Sequence, residues 1–286
     1  MNFKQYFYNF MLSYKHGYHA GNHADVLKHI VLIYLYNLAK KHNKSISYIE
    51  THSGNGVYKY ISKYMDKNKE YKFGIKKIEK YDGNNSLIMN YIKKLKIISK
   101  NNNFYPGSPY LISNLSSKLD KLYFCELHKN EFERLKLNLN KFTNIKILNT
   151  DGFQYIEEEL DFDKSFFIFV DPSYEVKQDF DKINFTLDNL EKKYENSKIL
   201  IWYPILNFAE NDIFIENIRK KGISNLLNVE LPINPNDEKR GMKGSGLLII
   251  NFNESKLLKE LKLLSKDLHF YLKQNDDVYN PKVRYL

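Results

Sequence analysis

A single cysteine, Cys125, is all that the 286 residues hold. It sits inside an apparent strand, so there is no disulfide framework, and a buried, inert thiol is the expectation. Redox chemistry is not indicated. No apolar run approaches the roughly 18 residues that a membrane span needs. The start, MNFKQYFYNF, lacks the charged, apolar and small-residue blocks of a secretion signal, which makes a cytoplasmic protein without membrane attachment the expectation. Repeats and low-complexity linkers are absent. So is a metal-ligand set. His16, His19, His23 and His29 crowd into one short stretch, but Gly17 and Gly21 interrupt the helix that would align the first three. No cysteine or carboxylate cluster completes the four ligands of a structural zinc site. No metal is expected, and these histidines, with Tyr14, read better as lining a polar pocket.

What is present suits one large α/β domain with room for an inserted subdomain: 43% of the residues are hydrophobic, enough to fill a sizeable core. The net charge of +10 favours a polyanionic partner such as nucleic acid. The most informative stretch is SFFIFVDPSYE, residues 165–175. Its apolar run from Phe166 to Val170 predicts a strand buried on both faces of a parallel sheet, with Asp171 at the carboxyl end. That is the sheet edge where α/β folds bind ligands. Asp171, the carbonyl of Pro172 and the ring of Tyr174 together suit an extruded base: an exocyclic amine can donate to the carboxylate and the carbonyl while the base stacks on the tyrosine. The same residues also suit an ordinary strand-ending turn, because Asp-Pro is a frequent turn opener.

The remaining strands fall into order around this one. Ile46–Glu50 predicts a first strand, followed by Gly54 and Gly56, which let backbone N–H groups approach a ligand. Residues 58–104 read as an excursion. After it, Pro106, Gly107, Ser108 and Pro109 open a helix running to about Lys118. KLYFCELH then supplies a strand with Glu126 at its end, where a carboxylate can accept from both hydroxyls of a ribose. Further alternation predicts a strand ending at Asp151, a helix at about 178–195, the strand KILIWYPI and a helix near 209–221. LLNVELPIN and SGLLIINF then form an antiparallel pair, and ESKLLKELKLLSKDLHFYLK is one amphipathic helix packed on the sheet. The expected fold is a Rossmann-like α/β domain with a mostly parallel, seven-stranded sheet, one antiparallel strand and a small helical insertion.

The segments MLSYKHGYHAGNHADVLKH, IETHSGNG, YPGSP, CELH, TDGFQ, DPSYE, WYP and RGMKGSG, in this order, resemble the bacterial family of large-subunit ribosomal RNA adenine-N6 methyltransferases. The resemblance runs from Met11 through the last strands. Residues 1–10 read as an extension, since relatives begin at the position of Met11. It implies a class I methyltransferase that uses S-adenosylmethionine and acts on 23S ribosomal RNA. The implied cofactor contacts are His29, His52, Ser108, Glu126, Asp151, Gly152 and Asp171. Tyr14 matches a residue that meets the RNA, and Asp171 matches the catalytic acceptor, with Pro172 and Tyr174 completing the catalytic loop. The family pattern there is Asp-Pro-Pro-Tyr, and Ser173 departs from it, removing the restriction that a second proline places on its neighbour. A catalytically silent RNA-binding or ribosome-assembly protein on the same scaffold is the alternative. A dinucleotide oxidoreductase fits less well, because the glycine loop lacks the three-glycine pattern.

The division expected is therefore 1–57 for the arm, the histidine-rich segment and the first strand, 58–104 for the inserted basic helical subdomain, and 105–286 for the rest of the methyltransferase domain. The insertion holds twelve lysines, no arginine and four acids, so it carries +8 of the chain's +10. Lysines contact phosphates as point charges, which makes Lys76, Lys77, Lys93 and Lys94 the expected grip on the RNA backbone. A monomer is expected.

Overall fold

The computed structural model describes residues 16–60, 68–99, 103–158, 165–174, 178–193, 196–235 and 241–286. Tyr14 and the first ten residues lie outside the described residues. A 3-10 turn, His16–Tyr18, precedes α1, His23–His42. The break between them falls at Gly21, whose φ of +79° is a left-handed conformation that glycine adopts at no steric cost. Asn22 then caps α1, its side chain accepting from the backbone N–H groups of Ala24 and Asp25. The histidines therefore do not share one helix face.

The main sheet is built from β1 (Ser47–Glu50), β4 (Lys121–Cys125), β5 (Ile145–Leu148), β6 (Phe167–Val170), β7 (Lys198–Ile205), β8 (Leu226–Pro232), β9 (Gly244–Ile250) and β10 (Lys282–Tyr285). Its order is β10-β8-β9-β7-β6-β1-β4-β5. The five strands from β7 to β5 are parallel, whereas β9 runs antiparallel to both β7 and β8. The seven expected strands are present, and β10 adds an eighth, antiparallel to β8 at the edge. Its sequence, KVRY, has no apolar run of its own. It is held by pairing with β8 and by charge, Lys282 and Arg284 each lying 3.8 Å from a carboxylate oxygen of Glu230.

Between β1 and β4 the chain leaves the sheet through β2 (Val57–Lys59) and returns through β3 (Phe104–Pro106), which pair antiparallel as a ribbon. The described residues of the excursion form the short α2 (Ile75–Ile78) and α3 (Ser86–Ile98). This excursion docks on the start of α1: Ile75 N–H donates to Gly21 O at 2.8 Å, and Glu70 reaches His19 at 2.9 Å and Asn22 at 3.1 Å. The remaining helices are α4 (Ser108–Leu115), α5 (Lys129–Leu139), α6 (Gly152–Glu158), α7 (Gln178–Lys193), α8 (Phe208–Lys220) and α9 (Leu257–Leu272). α4 ends earlier than the sequence predicts. Ser116 is extended, and Asp120 gathers Ser117 N–H and Tyr36 O–H into a tight turn ahead of β4.

The sheet separates two apolar layers. One contains α1, α4 and α9, with Leu27, Val31, Tyr48, Phe124, Phe167 and Leu264 fully buried; the other contains Ile49, Ile168, Ile183, Ile201 and Ile218. Alternate residues of one strand thus face opposite layers, as Tyr48 and Ile49 do, which is why these strands read as nearly continuous apolar runs. No helix among the described residues is long and apolar enough to cross a membrane.

Candidate active site

β1 is flanked by β6 on one side and β4 on the other, so the chain order reverses here and a crevice opens above the carboxyl ends of these strands. The loop after β1 is tied to both neighbours: Thr51 N–H donates to Phe169 O and Ser53 N–H to Cys125 O, each at 3.0 Å. His29, His52, Ser108, Glu126, Asp151, Gly152 and Asp171 all line this one crevice, together with Pro172, Ser173 and Trp202.

On the β4 side Glu126 is nearly fully buried. Its Oε2 accepts from Gly54 N–H at 2.7 Å, and its Oε1 from the backbone N–H of His128 at 2.7 Å, with the His128 ring Nδ1 at 2.9 Å. The glycine loop therefore turns an N–H onto the buried carboxylate. Each carboxylate oxygen offers two lone-pair sites, so Oε2 keeps one beyond the Gly54 N–H. Asp151 caps α6 through Phe153 N–H at 2.9 Å, and Lys182 lies 3.9 Å from its other oxygen. Gly152 lies directly against the Thr51 backbone, where any Cβ would collide with Thr51 O and Cα. His52 contacts the Thr51 hydroxyl at 2.7 Å and packs edge-on to Phe153.

On the β6 side, Asp171 Oδ2 accepts from Lys28 Nζ at 2.7 Å, and Lys28 also lies 3.1 Å from Asp25. Lys28 is only 3% exposed. Burial alone would push its ammonium down, but Asp171 and Asp25 outweigh that and the net shift is upward. The ammonium stands 4.6 Å from the centre of the Trp202 ring, within cation–π range. Tyr174 has a φ of +53°, donates its O–H to Trp202 O at 2.6 Å, and packs edge-on to the Trp202 ring at 5.4 Å. Here the crevice wall is formed by Pro172, Ser173 and Trp202, with Tyr174 bracing the tryptophan.

Sequence reasoning missed Lys28, Asp25, Trp202, His128 and Glu50. A signal for the first pair was there: two opposite charges three residues apart on an otherwise apolar helix need partners once that helix is buried. Lys76, Lys77, Lys93 and Lys94 lie away from the crevice, on α2 and α3. Lys76 pairs with Glu79 at 2.8 Å and stands over the Tyr60 ring. Among the described residues no three His, Cys, Asp or Glu side chains converge to hold a metal.

Glu50, at the end of β1, is fully buried with Tyr48 O–H donating to it at 3.0 Å and Ser108 O–H donating to its other oxygen. Burial pushes its carboxyl up to about 8, against the pull of those two donors. A raised folded-state value means that the native protein holds a proton the unfolded chain releases. Its stabilising contribution is full below the unfolded value of 4.5 and is lost as pH rises through about 8. Glu50→Gln, neutral at every pH but with one acceptor oxygen in place of two, should therefore fall below wild type in urea denaturation at pH 5 and gain on it towards pH 8.5, a relative change on the order of a few kcal/mol. Parallel stability curves for the two proteins across that range would contradict this assignment.

The family model described as ribosomal RNA large subunit methyltransferase D, RlmJ, matches residues 43–276. The protein called ribosomal RNA large subunit methyltransferase J from Haemophilus influenzae is 33% identical over 245 residues, covering 84% of this chain and 87% of that protein. Its namesake from Escherichia coli is 32% identical over 244 residues, with the same coverage. The crystal structure of protein LPL1258 from Legionella pneumophila superposes with a TM-score of 0.80 at 34% identity, covering 93% of this chain and 97% of that one. On the extent of these matches, the chain belongs to the ribosomal RNA large subunit methyltransferase J family.

Proposed function

We propose that the protein transfers a methyl group from S-adenosylmethionine to the N6 amine of an adenine in large-subunit, 23S ribosomal RNA. The observation that carries this is the convergence of Pro172 and the seven candidate cofactor residues, Asp171 among them, on one crevice at the reversal of strand order. The residues fit the cofactor. Glu126 has a lone-pair site for a ribose hydroxyl, and Asp151 and Gly152 line the crevice beside it, Gly152 having no Cβ and so able to pack directly on the Thr51 backbone. His29, His52 and Ser108 complete the wall. When bound, S-adenosylmethionine would supply an electrophilic methyl on a sulfonium, whose sulfur–methyl bond breaks to leave a neutral thioether.

The protein's part is to prepare the nucleophile. An adenine amine is a weak one because its lone pair is delocalised into the ring. Oδ2 of Asp171 is held by Lys28, so Oδ1 meets one amine hydrogen and the Pro172 carbonyl meets the other. Two acceptors fixed on one side pull the nitrogen towards a tetrahedral geometry and turn its lone pair to the methyl. As the N–C bond forms, the hydrogen on Oδ1 is drawn off to the carboxylate, assistance of a kind worth about a hundredfold to ten-thousandfold. Trp202, braced by Tyr174, gives the base an aromatic surface.

The insertion, 58–104, serves as a basic subdomain that grips RNA, beside the flanking 1–57 and 105–286 that form the catalytic domain; Tyr14 adds to the RNA contact. Changing Lys76, Lys77, Lys93 and Lys94 together to Gln should flatten the salt dependence of RNA affinity. The log–log slope should shrink by roughly 0.7 for each lost single-strand phosphate contact, while calorimetric cofactor affinity stays put. An unchanged slope in a folded variant would move the grip elsewhere. The function itself is tested by offering labelled S-adenosylmethionine and ribosomal RNA from cells in which the gene is deleted. Incorporation is expected; tight RNA binding without incorporation would favour the silent assembly protein.

A further inference from the structure

A chain of three buried polar groups crosses from the insertion to the crevice. The hydroxyl of Tyr91 on α3 lies 2.9 Å from that of Tyr105 on β3, which in turn lies 2.8 Å from Nδ1 of His29 on α1. Both tyrosines are fully buried and His29 is 2% exposed. The Tyr105 ring stacks on the imidazole at 5.5 Å and 21°, and the Tyr91 ring meets it edge-on at 6.4 Å. The imidazole is thus fixed from a face, an edge and one nitrogen.

The direction of the chain follows from where each hydrogen can go. Burial pushes both phenols well above the ordinary tyrosine value, so both keep their hydrogens. Among the described residues the Tyr91 O–H has one acceptor, the Tyr105 oxygen. A chain running the other way, from His29 Nδ1–H through Tyr105 to Tyr91, would leave the last hydroxyl hydrogen buried without an acceptor, which folded proteins avoid. Tyr91 therefore donates to Tyr105 and Tyr105 donates to Nδ1. In a neutral imidazole that puts the ring hydrogen on Nε2.

We infer that Tyr91 and Tyr105 are positioning residues that hold His29 as its Nε2–H tautomer, so that it offers a hydrogen-bond donor to the carboxylate of the cofactor's methionine portion. The inference rests on the methyltransferase reading of the crevice. With the ribose on Glu126 at the end of β4 and the methyl directed at Asp171 at the end of β6, the amino-acid portion falls on the α1 side, where His29 lines the wall next to Lys28 in the chain. Of the two charged groups on that portion, only the carboxylate accepts from an N–H. Neither tyrosine touches the crevice through its hydroxyl; both act through the histidine. Tyr91 lies in the insertion, so the segment read as the RNA grip also sets the chemistry of a cofactor contact.

The test pairs Tyr105→Phe, which keeps the ring and removes the hydroxyl, with two ligands, S-adenosylmethionine and its decarboxylated analogue. Calorimetry should show affinity for S-adenosylmethionine falling about tenfold or more in the variant, the size of one charge-assisted hydrogen bond. Affinity for the decarboxylated analogue should change less than about twofold, because its partner group is missing. Equal losses for both ligands would reduce Tyr105 to packing and overturn the inference. Nitrogen-15 spectra, with the His29 signal assigned by its loss in His29→Gln, should show protonated Nε2 in wild type and a mixture of tautomers in Tyr105→Phe. An Nδ1–H wild type would also overturn it, even if Tyr105→Phe failed to fold. Tyr91→Phe, which leaves Tyr105 able to donate, should lose less affinity than Tyr105→Phe; the reverse order would contradict the direction of the chain. Wild-type protein that binds neither ligand would instead defeat the cofactor reading itself.

Discussion

Asp171→Asn should lower methyl transfer by about a hundredfold or more, with the fold kept. The side chain stays the same size and the bond to Lys28 can still be made through the amide oxygen, provided the amide oxygen takes the Oδ2 position. What changes is the group that faces the substrate. With its oxygen turned to Lys28, asparagine presents NH₂ where the carboxylate presents Oδ1, and a donor there would repel the amine hydrogen that Asp171 is proposed to accept. Neither can an amide take up the proton. Turnover above about a tenth of wild type would show that Asp171 positions without accepting, and would leave the Pro172 carbonyl as the principal acceptor.

Lys28→Met should cost both stability and turnover. The substitution keeps the apolar stem of the side chain but leaves Asp25 and Asp171 without the ammonium that contacts both. Removing one partner of a buried ion pair typically costs about 3–5 kcal/mol, because the remaining charge stays buried without compensation. Turnover should fall at least about tenfold, since Oδ2 is no longer held and the carboxylate can rotate away from the amine. The double variant Lys28→Met, Asp171→Asn removes one of the two carboxylate charges that have lost the ammonium. It should regain a large part of the lost stability in urea denaturation while remaining inactive. A double variant as unstable as the sum of the single ones would mean that the two residues are energetically independent despite their contact.

The central parallel strands were legible because burial on both faces leaves a plain mark in sequence: FIFV in β6 and, after Lys198, ILIWYPI in β7 are unbroken apolar runs. The site's acids were legible for a related reason. Each stands immediately after or just beyond a strand, so placing the strand also places Asp171, Asp151 and Glu126 at the crevice. β10 was not, because it contributes only Val283 to the core and owes its place to the free edge of β8 and to Glu230. Lys28 was hidden differently. Its role depends on Asp171, 143 positions away, and no local pattern encodes which distant carboxylate a buried lysine will meet. Tyr174 was read as the stacking surface from its place in the motif. In the fold its left-handed backbone and its bond to Trp202 O bring the tryptophan into the wall, and only the neighbouring strand could reveal that.

The central claim, that Asp171 and Pro172 accept the two hydrogens of an adenine amine, is tested most directly by the identity of the product nucleoside. Ribosomal RNA from cells in which the gene is deleted would be methylated by the purified protein with S-adenosylmethionine carrying a labelled methyl group, digested to nucleosides and resolved by mass spectrometry. The account predicts the label in N6-methyladenosine from 23S RNA with wild type, and its loss with Asp171→Asn. Label in a methylated cytidine, guanosine or ribose hydroxyl, or label in N6-methyladenosine undiminished by Asp171→Asn, would contradict it.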